Sequence, residues 1–300
     1  MTPAALAARG VGRRYGAHWA LRGLDLTIPA GSVTALVGPN GAGKTTLLHL
    51  AVGLLTPSAG ELRVLGMETG AAAGPELLAR VGFVAQDTPL YAGFTVEEML
   101  RLGRHLNRGW DDAVARDRIG RLGIPLERRC GRLSGGQQAQ VALAVALAKR
   151  PDLLLLDEPL ASLDPLARHD FLEALLDAVA ERGVTVVLSS HLVGDLERIC
   201  DHLVLLRDAH LQVAGGIDEL MCDHRLLVGP RCDPTALASA HEIVEARHTD
   251  RQTSLLVRGG GAILDPRWQV LDATLEDIVL AHLRRPALPL PSPRLQRISA

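Results

Sequence analysis

A surplus of charge of either sign is nearly absent from this sequence. The formal net charge is -2 over 300 residues, which supplies no general attraction to nucleic acid or anionic lipid and leaves open only a local basic face. Long apolar runs are missing too: Leu47–Leu55 and Leu153–Leu156 fall far short of the ~20 residues a membrane-spanning helix needs. The stretch Met1–Gly16 mixes alanines with Arg9, Arg13 and Arg14 and lacks the continuous apolar core of a secretory signal. A cytoplasmic location is the expectation. Cys130, Cys200, Cys222 and Cys232 are scattered, with no pair at metal-ligand spacing and no disulfide framework, so reduced thiols are expected. The eleven histidines form no metal cluster either.

What is present is enough to bury a large core. With 47% hydrophobic and 22% charged residues, the chain suits one large domain, or one domain with an appendage, and general disorder is excluded. Short Val- and Leu-rich runs recur at Val33–Val37, Val81–Val84, Leu153–Leu156, Val184–Leu188 and Leu203–Leu206, each with the look of a buried strand. Between them lie segments of helical periodicity, such as Leu47, Leu48, Ala51, Leu54 and Leu55, then Phe171, Leu172, Leu175, Leu176 and Val179. That alternation predicts an α/β fold with a mainly parallel sheet over about residues 1–220. Within the region of about 87–150, the stretch from about Phe94 to Leu126 has no buried-strand run and is rich in Arg, Asp, Glu and Leu. It reads as a helical subdomain inserted into the sheet domain. Residues 221–285 form a small α+β extension with strand candidates at Leu226–Val228, Ile243–Ala246 and Ser254–Val257. A helix follows, with Thr274 and Asp277 as a capping box. The segment 286–300 carries Pro286, Pro289, Pro291 and Pro293 and is expected to be disordered.

Gly38-Pro39-Asn40-Gly41-Ala42-Gly43-Lys44-Thr45 fits the phosphate-loop pattern G-x-x-x-x-G-K-[ST] and lies between a predicted strand and a predicted helix. Its glycines allow backbone N–H groups to face a phosphate, and the helix N-terminus adds favourable dipole field. Lys44 is expected to reach the β- and γ-phosphates, and the Thr45 hydroxyl to ligate Mg²⁺. Kinases, GTPases and transport ATPases all use such a loop. Downstream, the apolar run Leu153–Leu156 delivers Asp157 and Glu158. Asp157 is assigned to the metal and Glu158 to activation of the attacking water; taken alone, the two acids could instead cap the next helix.

The segment Leu133-Ser134-Gly135-Gly136-Gln137, upstream of Asp157, resembles the signature of the ATP-binding cassette family. Ser134 can cap a helix, and Gly135 and Gly136 leave N–H groups open to a γ-phosphate. Tyr15, the phosphate loop, Gln86, the signature, Asp157, Glu158, Asp164 and His191 fall in that family's order, so the resemblance covers about Leu6–Gly216. It implies a phosphate-loop ATPase fold with ATP and Mg²⁺ as ligands. By resemblance, Tyr15 stacks on adenine, Gly38 to Thr46 hold the phosphates, and Thr45, Gln86 and Asp157 serve the metal. Ser134 to Gln137 and Asp164 belong to the dimer's grip on the nucleotide, and His191 contacts the γ-phosphate alongside catalytic Glu158 and Lys44. Singly, Tyr15 could be core packing, Gln86 a loop residue and His191 a cap. His191 also follows a strand, and ligands gather at the carboxyl ends of strands in open α/β sheets. Two departures occur: Ala161 stands where the family often has a hydroxyl, and Gln138 where Arg is common.

The resemblance implies an ATP-hydrolysing subunit that drives transport, export in particular, through a separate membrane permease. It would work as a homodimer or a heterodimer with a second cassette, peripheral on the inner face of the cell membrane. The alternative is a soluble cassette ATPase of DNA repair or translation. The short interval from Gln86 to Leu133 leaves no room for a long coiled coil, only one cassette is visible and no basic run stands out. No nucleic-acid partner is therefore expected.

Overall fold

A computed structural model describes residues 3–70, 74–87, 90–161, 163–191, 193–194, 196–232, 241–259, 261 and 265–284. The chain divides into two compact units, Met1–Cys222 and Asp223–Ala300. Among the described residues no helix is long and apolar enough to cross a membrane.

In order along the first unit come strands β1 (Ala4–Tyr15), β2 (His18–Pro29) and β3 (Val33–Val37), then helix α1 (Lys44–Ala51). Next are β4 (Ala59–Val64), β5 (Met67–Glu68), α2 (Pro75–Arg80) and β6 (Val81–Val84). Helices α3 (Val96–Leu106), α4 (Asp112–Arg121) and α5 (Gly135–Ala148) precede β7 (Leu153–Leu156), α6 (Pro165–Arg182) and β8 (Thr185–Ser190). Strands β9 (His202–Arg207) and β10 (His210–Gly216) and helix α7 (Ile217–Asp223) follow.

The central sheet has the order β10-β9-β3-β8-β7-β6. Strands β9, β3, β8, β7 and β6 are parallel, and β10 closes one edge antiparallel to β9. Every residue of β3, β7 and β8 is buried, as expected of strands covered on both faces. β8 runs two residues beyond the expected Val184–Leu188, and this draws Ser189 and Ser190 into the sheet. α1 ends at Ala51, so Leu54, expected on its apolar face, is exposed, and so is Leu176 on α6.

A second, antiparallel sheet, β2-β1-β4-β5, was not foreseen. Register shifts between Ala8 and Val11 and between Val11 and Arg13 break the alternation of β1, so its sequence lacks a clean period of two. Leu6, Val11, Leu21 and Leu24 of this sheet pack in one core with Leu47, Leu48 and Leu50 of α1 and with Leu155, Val187 and Val204 of the central sheet. α1 is therefore fixed from both sides.

Between β6 and β7, Val96 and Met99 of α3, Ile119 of α4 and Val141 and Ala144 of α5 share a separate cluster. Arg116 on α4 ties this group together with two 2.8 Å bonds to Glu97. Reciprocal capping boxes start α3 (Thr95 with Glu98) and α5 (Ser134 with Gln137).

The second unit contains β11 (His224–Pro230), β12 (Glu242–His248), β13 (Gln252–Arg258) and β14 (Gln269–Asp272), paired antiparallel in the order β12-β13-β11-β14. Helix α8 (Leu275–Arg284) follows, and Thr274 and Asp277 bond each other at its start. Leu227, Leu255, Val257 and Trp268 form its core. The Pro-rich segment 286–300 lies outside the described residues.

Candidate active site

The loop Gly38 to Gly43 joins β3 to α1 in a path that only glycine can follow at its ends. Gly43 caps α1 with φ +106°, and a Cβ there would meet the Ala20 carbonyl oxygen at 2.5 Å. At Gly38 a Cβ would meet the Leu206 carbonyl oxygen at 2.3 Å. The loop thus rests against both sheets. Lys44, 6% exposed, turns its ammonium back over the loop and donates to the carbonyls of Gly38 at 2.6 Å and Pro39 at 3.3 Å.

β7 and β8 deliver the remaining chemistry beside that ammonium. Glu158 Oε1 lies 3.2 Å from Lys44 Nζ as an ion pair, with both side chains almost wholly buried. Its other oxygen, Oε2, is 2.8 Å from His191 Nδ1, whose ring is half exposed. Lys44, Glu158 and His191, from three separate stretches of sequence, therefore meet around one carboxylate. Glu158 adopts φ +47°, a conformation disfavoured for a side-chain-bearing residue and often found where structure is held for function. Ser189 holds it there. Its hydroxyl accepts from the Glu158 N–H at 2.8 Å and donates to Asp157 Oδ1 at 2.7 Å, fully buried. Sequence reasoning passed over Ser189, although a hydroxyl near the end of an otherwise apolar strand just before His191 was a usable signal.

A cavity of about 360 Å³ opens over the loop, lined by His18, Ala20, Asn40 to Thr46, Gln86 and Glu158. Thr45 and Gln86 line it, whereas Asp157, buried just past the end of β7 and bonded to Ser189, does not. A hydroxyl, an amide oxygen and a carboxylate are hard oxygen donors that suit Mg²⁺ shared with phosphates. No group of three His, Cys, Asp or Glu able to hold a metal on its own occurs among the described residues.

Other expected residues stand elsewhere. Tyr15 is exposed at the end of β1 and does not line this cavity; His18 and Ala20, which the sequence did not single out, are what β2 contributes to it. Ser134 caps α5 through the Gln137 N–H, and Asp164 caps α6 through the Ala167 N–H. Neither these caps nor Gly135 and Gly136 line the cavity. Gln138 donates to the carbonyls of Cys130 and Leu133, 3.2 Å each, and so pins the turn ahead of Ser134.

A phosphate loop between sheet and helix, with a lysine, a strained glutamate and a histidine at adjoining strand ends, defines a nucleoside-triphosphate hydrolase. The sequence model of the ABC transporter family matches residues 21–161. The chain is 36% identical over 253 residues to the Nod factor export ATP-binding protein I of Burkholderia lata, covering 81% of each protein. It is 34% identical over 301 residues to the protein of that name from Burkholderia orbicola, covering 96% of this chain and 95% of that one. This chain belongs to the ABC transporter family of ATP-binding subunits, and it is an ATPase. Among solved structures, an ATP-binding subunit of an ABC transporter superposes with TM-score 0.64 at 30% identity over 72% of this chain and 91% of that one. A bacterial ABC transporter cassette solved as a dimer does so with TM-score 0.64 at 26% identity, over 70% and 98%.

Proposed function

We propose that this chain binds MgATP in the cavity over Gly38–Thr46 and hydrolyses it to drive export through a separately encoded membrane permease. The observation that carries this reading is the meeting of Lys44, Glu158 and His191 on one carboxylate. Lys44 binds the β- and γ-phosphates, Glu158 takes the proton of the attacking water, and His191 orients Glu158 and approaches the γ-phosphate. Thr45, Gln86 and Asp157 hold Mg²⁺, which when bound neutralises developing phosphate charge.

The caps Ser134 and Asp164, which do not line this chain's own cavity, act on the ATP of a second cassette in a head-to-tail dimer. This accounts for their exposure at helix starts. ATP favours closure of that dimer and hydrolysis reopens it. The closing motion passes to the permease on the cytoplasmic face through Gln86 and the segment after it. There the rings of Tyr91 and Phe94 lie 5.1 Å apart, both exposed, which offers a partner an aromatic contact. The direction, export, is taken over from the names of the relatives.

Glu158→Gln tests the reading. Phosphate release is expected to fall ~10² to 10⁴-fold, the usual worth of a general base, while ATP still binds. A purified variant that releases phosphate at the native rate would overturn it.

A further inference from the structure

Tyr15 sits at a hairpin tip, joined to His18 by Gly16 and Ala17, and is 47% exposed. A ring so placed would ordinarily spend binding energy on being ordered. Here it is already held on one face. Arg13, two residues earlier on β1, lays its guanidinium carbon 4.8 Å from the Tyr15 ring centroid, within the range of cation–π attraction. That guanidinium is itself anchored: Nη1 donates to the Thr56 carbonyl at 2.8 Å, and Nε is buried with no hydrogen-bond partner. Partial desolvation of this kind strengthens attraction to a ring.

The sheet order states which side of Tyr15 is taken. β1 lies between β2 and β4. Thr56 belongs to the connection entering β4, where Ser58 N–H also donates to the Gly12 carbonyl at 2.7 Å. His18 and Ala20, on the β2 side, line the cavity with Lys44. Arg13 is thus anchored toward β4, on the other side of β1 from the strand that lines the cavity, and the ring it backs remains 47% exposed.

We propose that Arg13 is a positioning residue for nucleotide recognition: it backs the Tyr15 ring so that its free face is set in advance to stack on the base of ATP. This rests on the reading of Tyr15 as the adenine platform. Arg13 touches no phosphate and takes no part in hydrolysis.

Calorimetry on the full chain, with ATP and with inorganic tripolyphosphate in chelator so that neither turns over, tests it. Arg13→Met is expected to weaken ATP binding by about threefold to tenfold and to leave tripolyphosphate, which has no base, at native affinity. Arg13→Lys, which keeps a cation, should restore most of the ATP affinity; if the methionine variant does not fold, Arg13→Gln, which loses the cation but keeps a donor for the Thr56 carbonyl, is expected to show the same selective loss. Native ATP affinity in Arg13→Met, or an equal loss for both ligands, overturns the proposal. Tyr15→Ala separates the two readings. If it lowers ATP affinity relative to tripolyphosphate while Arg13→Met does not, only the role of Arg13 falls; if it leaves that ratio unchanged, the adenine platform falls with it.

Discussion

At the scale of single residues, the site depends on groups that never touch the nucleotide. Ser189 satisfies a buried N–H on Glu158 and a buried carboxylate oxygen on Asp157 with one hydroxyl. Ser189→Ala strands both, and an orphaned buried polar group costs about 1–3 kcal/mol. The variant is expected to melt at lower temperature and to lose about tenfold in turnover, about 1.4 kcal/mol of barrier, because the Ser189 hydroxyl is the partner of the Glu158 N–H in the backbone conformation at φ +47°. Thermal unfolding and phosphate release measure the two effects; a variant unchanged in both would show that the backbone of Glu158 needs no such tether. The contrast with Lys44 and Glu158 explains what was readable beforehand. Those two lie in local patterns, the phosphate loop and an apolar run ending in two acids, that single them out as candidates. Ser189 acquires its partners from the parallel register of β7 on β8, in which Leu156 pairs with Leu188, and no local pattern encodes a register between strands about thirty residues apart.

At the scale of elements, helix starts carry two duties, and one substitution pair can part them. Ser134 caps α5 by accepting the Gln137 N–H at 3.2 Å while Gln137 accepts the Ser134 N–H. Ser134→Ala is therefore expected to lower stability by about 1 kcal/mol. Ser134→Asp keeps an equally good cap but brings an anion to the place where the γ-phosphate of a second cassette would arrive. Its stability should match the native protein while its ATPase rate falls to that of the alanine variant or lower. Denaturant unfolding alongside turnover decides; an active, stable aspartate variant would mean that Ser134 meets no phosphate. Caps and buried parallel strands were legible because each is signalled within a few residues, as Thr274 with Asp277 and Leu153–Leu156 show. The sheet β2-β1-β4-β5 was not, since bulges and the arginines of β1 and β2 hide its alternation, and its strands are stabilised mostly by what packs beneath them.

At the scale of the whole molecule, every residue assigned to the nucleotide, from Tyr15 to His191, belongs to the unit Met1–Cys222. That unit has its own large core, in which α1 is packed against both of its sheets. The strand order β3-β8-β7 makes neighbours of the phosphate loop, His191 and Glu158, an adjacency the linear order of motifs implies only through the family resemblance. A chain ending at Cys222 keeps enough residues to bury a core by itself, and the described partners of Lys44, which are Gly38, Pro39 and Glu158, all lie within it. It is expected to fold and to bind ATP within about threefold of the native affinity, a difference of less than 1 kcal/mol. Circular dichroism and calorimetry on the truncated chain check this. An unfolded or aggregated product, or ATP affinity lost by more than tenfold, would show that Asp223–Ala300 is needed to build the nucleotide site. Retained binding with turnover that no longer rises with protein concentration would instead assign that second unit to the pairing of two cassettes, because closure over ATP is the step that depends on a second copy.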